Sequence, residues 1–209
     1  GIIGVIGDVM DSISASRVED IEFLDAADTV YDYAQILRED EDCDIVVVSL
    51  HEYNEYVDQE IAGFTGSHLV DAIFNGHTHE DLAGSISRSG VAMPYAQAGN
   101  YTNSLFARII ITYDTASKTV VSATAATLSE NDIDGSNAEM DTMLYTYEND
   151  STYLAYVGTV LAYSDGYYNR YALAPWGASV VRDYAGLDVG IVNAGGFRVT
   201  METGQVTMG

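Results

Sequence analysis

Residues 44–51 read DIVVVSLH and residues 69–79 read LVDAIFNGHTH. Each holds a short continuous apolar run of strand length, and each run leads into histidine. Runs of this kind mark strands inside a parallel sheet, whereas one-sided strands alternate apolar with polar residues. DIVVVSL is therefore expected as a central strand buried on both faces, with residues 69–74 as a second buried strand ending at Asn75-Gly76. Upstream, residues 25–40 carry a helical pattern. Val30, Tyr33, Ala34 and Leu37 recur at i, i+3, i+4 and i+7, and Asp25 or Asp28 can cap the start. Residues 57–68 suit a short second helix and residues 1–6, GIIGVI, a further strand. Strands interleaved with helices make an α/β fold.

The pattern changes after about residue 81. Segments 91–97, 104–113 and 118–128 alternate or run β-branched between turn residues, which predicts a strand-rich stretch. The loop SENDIDGSN, residues 129–137, then separates two parts of the chain. Ser136 to Glu139 reads as a capping box, and behind it Met140, Met143, Leu144 and Tyr147 share one helical face. This predicts a linker helix packed on a neighbour. Residues 154–163 alternate like a strand. Pro175 suits a first helical turn, Gly186 a helix end, and residues 187–192 another buried strand running into NAGGFR. The tyrosines keep no fixed spacing and read as packing.

Composition narrows the class. The chain has 209 residues, 47% hydrophobic and 19% charged, enough to bury a core and too apolar for a disordered chain. No apolar run is long enough to form a transmembrane helix. Eight basic against 32 acidic residues give a net charge of −24, and Lys118 is the only lysine. Such a chain does not grip the phosphates of a nucleic-acid duplex, which needs clustered Lys and Arg, and is repelled by anionic membranes. The acidity suits an extracellular, cell-surface or periplasmic setting, or high salt, where self-repulsion is screened. Cys43 is the single cysteine, so there is no internal disulfide, and its place before an apolar strand reads as packing. The chain opens on a buried-strand pattern and closes on GQVTMG with no cap, as an internal piece of a longer polypeptide would.

The chain has four histidines, His51, His68, His77 and His79, and three of them are candidates to carry chemistry. His51, His77 and His79 follow the C-terminal ends of predicted buried strands, the edge where open α/β sheets bind ligands. Neutral imidazole is the commonest metal ligand, and imidazoles favour Zn, Mn or Fe over Mg or Ca. His68, after Gly66-Ser67, reads as an exposed loop residue.

Taken in order, SLHEY, NGHTH, YAQAGNYTNSLFARIIITYD and NAGGFR with a following GQVT resemble the 5′-nucleotidase family over residues 1–130 and 155–209. The resemblance implies an α/β chain in three parts. Residues 1–130 would be the C-terminal portion of a four-layer αββα metallophosphoesterase sandwich, 131–153 a linker helix, and 154–209 the start of a mixed α/β nucleotide-binding domain. It implies two divalent metal ions with His51, His77 and His79 as ligands. It further implies that Asn193, Gly195, Gly196 and Arg198 hold a nucleotide or other phosphate ester, with Arg170, seven residues before Gly177, near the substrate. An arginine fork suits phosphate. The implied activity is a metal-dependent phosphohydrolase of 5′-nucleotidase or 2′,3′-cyclic phosphodiesterase type.

The departures from the family pattern shape the expectation. The family's Asp-x-His, bridging Asp and Asn-His-Asp/Glu segments would lie upstream, as would the histidine that assists the chemistry. Gly7-Asp8 is similar to a metal-ligand dipeptide but falls where the family has a later strand, so Asp8 reads as a turn residue. The base-sandwiching aromatics would lie downstream. Glu52-Tyr53 and Trp176-Gly177-Ala178 replace the commoner family residues. No catalytic residue is therefore assigned within the chain, which alone is expected to be inactive. The alternative is a non-catalytic cell-surface or assembly protein on a truncated nucleotidase scaffold.

Overall fold

The computed structural model describes residues 1–7, 13–99 and 106–209. Asp8, and residues 104 and 105 of an expected strand, lie outside them. The fold is α/β, in two compact units, Gly1–Asp134 and Gly135–Gly209.

The first unit is built on a five-stranded sheet. Strands β1 (Ile2–Val5), β2 (Val47–Leu50), β3 (Ala72–Asn75) and β5 (Met93–Gln97) run parallel, and β4 (Leu82–Ile86) closes the β5 side antiparallel, in the order β1-β2-β3-β5-β4. Helix α1 (Ala26–Glu39) begins where Asp25 accepts from the Asp28 amide at 2.9 Å. Helix α2 (Glu55–Ala62) begins two residues earlier than its apolar pattern, because the Asn54 side chain accepts from the Tyr56 amide and sets the start. It stops at Gly63, and a separate 3-10 turn holds Gly66–His68.

Val30 and Ala34 of α1 and Ile61 of α2 pack with Ile3, Val46, Val48, Leu50, Val70, Ile73 and Met93 into one core. β2 is an interior strand, second in the order beside the edge strand β1 with β3 at the centre, and it is not buried on both faces as its apolar run predicts. Val46, Val48 and Leu50 are buried, Val47 is half-buried, and Ser49 is exposed. The core helices cover one side, and no described element of this unit covers Ser49 on the other. Strands β6 (Phe106–Asp114) and β7 (Thr119–Leu128) form an antiparallel ribbon that packs against β4 and β5. β4 lies in the predicted strand-rich stretch.

At the other end of β2 and β3, an ion pair locks α1 to the sheet. Arg38 Nη2 meets Asp71 Oδ2 at 2.7 Å, with side-chain exposures of 16% and 3%. Arg38 Nε also donates to the Leu69 carbonyl at 2.8 Å, and Asp71 Oδ2 accepts from the Val46 amide at 2.8 Å. Every strong group in the cluster has a partner, the condition under which a buried pair is tolerated.

The second unit holds α3 (Ala138–Glu148), α4 (Ser151–Val157), β8 (Val160–Ser164), α5 (Arg170–Ala185) and β9 (Gly204–Thr207), with β8 and β9 antiparallel. Several local expectations change here. The α3 cap is Asn137, not Ser136; its side chain accepts from the amides of Glu139 and Met140. Met140, Met143, Leu144 and Tyr147 are all exposed, so no described element of this unit covers this helical face. Residues 154–157 are helical rather than extended, because Asp150 caps α4 and Gly158 ends it; the strand starts only at Val160. α5 begins at the Asn169 cap, which puts Pro175 inside the helix instead of in its first turn, and Gly186 ends it at φ +65°.

Residues 187–192 form no strand. Leu187, Val189 and Ile191 are exposed, and β8 pairs with β9, so no described strand lies beside this apolar run. The segment instead runs against α5. A Cβ on Gly190 would fall 2.0 Å from the Ala178 carbonyl oxygen, so glycine alone permits the approach.

Candidate functional site

The parallel register sets Leu50 beside Asn75, so the residues after β2 and β3 emerge together at the C-terminal edge of the sheet. His51 stays in the ladder through its amide bond to the Val5 carbonyl at 2.8 Å. Asn75 ties the two loops: its Nδ2 donates to the Glu52 carbonyl at 3.1 Å and to Asp58 Oδ1 at 3.0 Å. Gly76 then passes close to His51, where an added Cβ would meet the ring Nδ1 at 3.2 Å.

The outcome is a pair of imidazoles. His77 Nδ1 lies 3.3 Å from His51 Nε2, with the rings edge to face and their centroids 5.1 Å apart. Both residues are exposed. His77 sits at φ +70° and His79 at φ +58°, in the left-handed region that costs a side-chain-bearing residue energy. The Thr78 amide closes a tight turn onto the Gly76 carbonyl at 2.8 Å. Strained backbone of this kind persists when its surroundings over-determine it.

Gln97 supplies that constraint. This glutamine at the end of β5 is 2% exposed, and its Nε2 donates to Thr78 Oγ1 and to the Glu80 carbonyl, both at 2.8 Å. Gln97→Leu is expected to cost about 1–3 kcal/mol through the two lost bonds. Amide hydrogen exchange should accelerate over residues 76–80 ahead of the β2 and β3 core. Gln97 and Asn75 play no part in the sequence-based site, though a lone amide inside the apolar run MPYAQA was the available signal.

The imidazole pair fits a metal by donor chemistry and spacing. Two nitrogens bound to one tetrahedral Zn at about 2.0–2.1 Å stand roughly 3.3–3.4 Å apart, the separation found between His51 and His77. His79 is exposed two residues further on and does not join them. Among the described residues, no group of three or more His, Cys, Asp or Glu is gathered for a metal. His68 is not the free loop residue expected. It is half-buried, stacked on Tyr31 with centroids 3.5 Å apart, and its Nδ1 lies 3.0 Å from the Tyr31 carbonyl.

Asp58, behind Asn75, is 1% exposed. Burial pushes its carboxyl up to about 6, the Asn75 hydrogen bond partly opposes this, and the Glu52 charge adds to it. The folded state therefore keeps a proton that the unfolded state releases near its ordinary value. The stability from this group is full below about pH 4 and lost as pH rises through about 6. Asp58→Asn is expected to abolish that step and to be more stable than the parent by about 2–3 kcal/mol above neutrality, read by urea unfolding on both sides of the window.

In the second unit, Asn193 opens a 3-10 turn, Ala194–Gly196, and its Oδ1 accepts from the Gly195 amide at 2.8 Å. The Gly196 amide donates to the Asn193 carbonyl at 2.9 Å. Both glycine amides are thus used inside the turn, which leaves Asn193 Nδ2 and the exposed Arg198 guanidinium as its donors to a ligand. Gly177 of α5 is where the next residue lodges: a Cβ there would fall 2.4 Å from Phe197 Cζ. Gly177→Ala should displace Phe197 and the turn at a cost of about 1–3 kcal/mol. Trp176, the only tryptophan, gives a fluorescence readout next door. Arg170 is exposed at the first turn of α5, with Nη2 on the Tyr171 hydroxyl at 2.8 Å. A hollow of about 500 Å³ beside β8 is walled by Tyr163, Tyr168, Trp176 and Leu173, and none of the expected substrate residues lines it.

No family model matches the chain. Among curated proteins the chain is similar to an apyrase of Tabanus yao, 38% identical over 82 residues. Those residues are 39% of this chain and span 14% of the length of that protein.

Proposed function

We propose that the chain belongs to a metal-dependent phosphohydrolase of nucleotides, of 5′-nucleotidase or 2′,3′-cyclic phosphodiesterase type. The observation that carries this reading is the convergence of His51 and His77 at 3.3 Å on the C-terminal edge of the sheet, on a strained loop clamped by Gln97. The similarity to an apyrase supports the substrate class.

His51 and His77 would hold divalent metal, two ions in the full centre, of the Zn, Mn or Fe kind that imidazole favours, and His79, apart from the pair in this structure, would serve as a further ligand from the same loop. When bound, such metal acidifies a water and polarises the phosphoryl oxygens. The chain's own part is to place the imidazoles: β2 and β3 deliver them in register, Gly76 admits the close approach, and Gln97 holds the turn. In the second unit, Asn193 Nδ2 and the forks of Arg198 and Arg170 bind the anionic substrate, as arginine binds phosphate bidentately. Gly195 and Gly196 keep the turn small enough to present them. A protein of net charge −24 repels nucleotides at long range, so the metal and these arginines carry recognition at short range. The same acidity suits an extracellular or high-salt setting.

Initial rates of phosphate release from ADP, AMP and a 2′,3′-cyclic nucleotide by the native protein test the class. Turnover of at least one nucleotide, faster than of a plain sugar phosphate, is the expected result. Absence of turnover on all three would sink the reading.

A further inference from the structure

A cavity of about 370 Å³ lies between α2 and the β4–β5 edge of the first unit, with Tyr53, Glu55, Asp58, Ser85 and Tyr95 among its lining residues. Asp58, 1% exposed, spends Oδ1 on Asn75, while its Oδ2 has no hydrogen-bond partner. A buried carboxylate oxygen left unpaired is costly, and it marks a place where a donor belongs. The lining residues include no Lys, Arg or His; of the neutral donors there, Gln59 Nε2 is spent on Glu55 Oε1, and neither Ser85 nor the tyrosine hydroxyls bond to Asp58 Oδ2.

The walls say which donor fits. The rings of Tyr53 and Tyr95 lie within 21° of parallel with centroids 6.3 Å apart. Tyr95 holds its place because Gly84 faces it across the β4–β5 ladder, where a Cβ would fall 2.7 Å from the Tyr95 hydroxyl. Aromatic faces attract cations within about 6 Å of the ring centroid. Glu55 adds a second carboxylate. Burial pushes the Tyr53 phenol up, and the charges of Tyr95, Glu55, Asp58 and Glu80 add to that, so the local field is negative. A bare metal ion needs a tight shell of oxygens at about 2.0–2.6 Å, and this cavity is far roomier. Its size and π-walls suit a compact organic ion.

We propose that this cavity binds a small organic cation, a molecule carrying an ammonium or guanidinium head that donates to Asp58 Oδ2 beside the stacked tyrosine rings. The site uses neither His51 nor His77 and stands independently of the proposed hydrolase activity.

The test is a titration of the isotope-labelled 209-residue chain with methylguanidinium chloride at fixed ionic strength, followed by amide NMR shifts. N-methylurea, a neutral molecule of nearly the same shape, is the control. Saturable shifts at Tyr53, Asp58, Ser85 and Tyr95 are expected with methylguanidinium and not with N-methylurea. Asp58→Asn keeps the shape of the side chain and should weaken binding about tenfold or more, as loss of a hydrogen bond to a charged group does. Tyr95→Leu should weaken it through loss of the π-face while leaving the carboxylate in place. Equal responses to the two probes, shifts that never saturate, or unchanged affinity in both variants would overturn the proposal.

Discussion

Replacing Asp71 with alanine is expected to destabilise the first unit by about 3–5 kcal/mol, the cost of leaving a largely buried charge without its partner. Arg38 would keep its carbonyl contacts but lose the carboxylate at 2.7 Å, and the Val46 amide would lose its acceptor. The damage falls where α1, β2 and β3 meet, so it should appear as a drop in Tm of more than about 10 °C. A paired substitution discriminates the cause. Arg38→Met with Asp71→Leu should recover much of the loss, since apolar replacements of a buried pair are often neutral or better. If Asp71→Ala alone shifts Tm by only a degree or two, the ion pair is not what fastens the helix to the sheet.

His77→Ala is expected to weaken Zn or Mn binding by about a hundredfold, and His51→Ala similarly. A structural zinc bound at about 10–16 kcal/mol through four ligands assigns each roughly 2.5–4 kcal/mol. Because the two imidazoles act at one place, the double variant should lose little beyond the first loss, a non-additivity expected of residues that share a partner. Both residues are exposed and outside the core, so thermal unfolding of the metal-free variants should match the parent closely. Calorimetric titration reads the affinities. His79→Ala should cost less than either, since His79 stands apart from the pair in this conformation.

The legible parts of the fold were those in which a local signal and a packing requirement agree. Helix α1 has both a cap at Asp25 and an apolar stripe whose buried members are Val30 and Ala34. The runs leading to His51 and His77 are β2 and β3, and their parallel pairing brings those histidines together. Where the signals conflict, the local one prevails. Asp150 and Gly158 bracket a helix across residues whose alternation reads as a strand. Asn169 starts α5 well ahead of Pro175.

The remaining misses are tertiary. Whether a run such as 187–192 becomes a strand depends on a neighbour to pair with, and no residue in the run reports that. The exposed Ser49 on β2 has the same origin. His68 stacks on Tyr31, 37 positions away in the chain, a contact no spacing rule reveals. Gln97 acts across the sheet on Thr78 and Glu80, so its role emerges only from the pairing of β3 with β5.

The most direct measurement is phosphate release from a nucleotide by the native protein after chelation and after metal is returned. Chelation should abolish turnover, Zn or Mn should restore it, and a protein carrying both His51→Ala and His77→Ala should not be restored at the same metal concentration. Hydrolysis that persists in chelator, or full restoration without those two histidines, would contradict the metal-dependent reading.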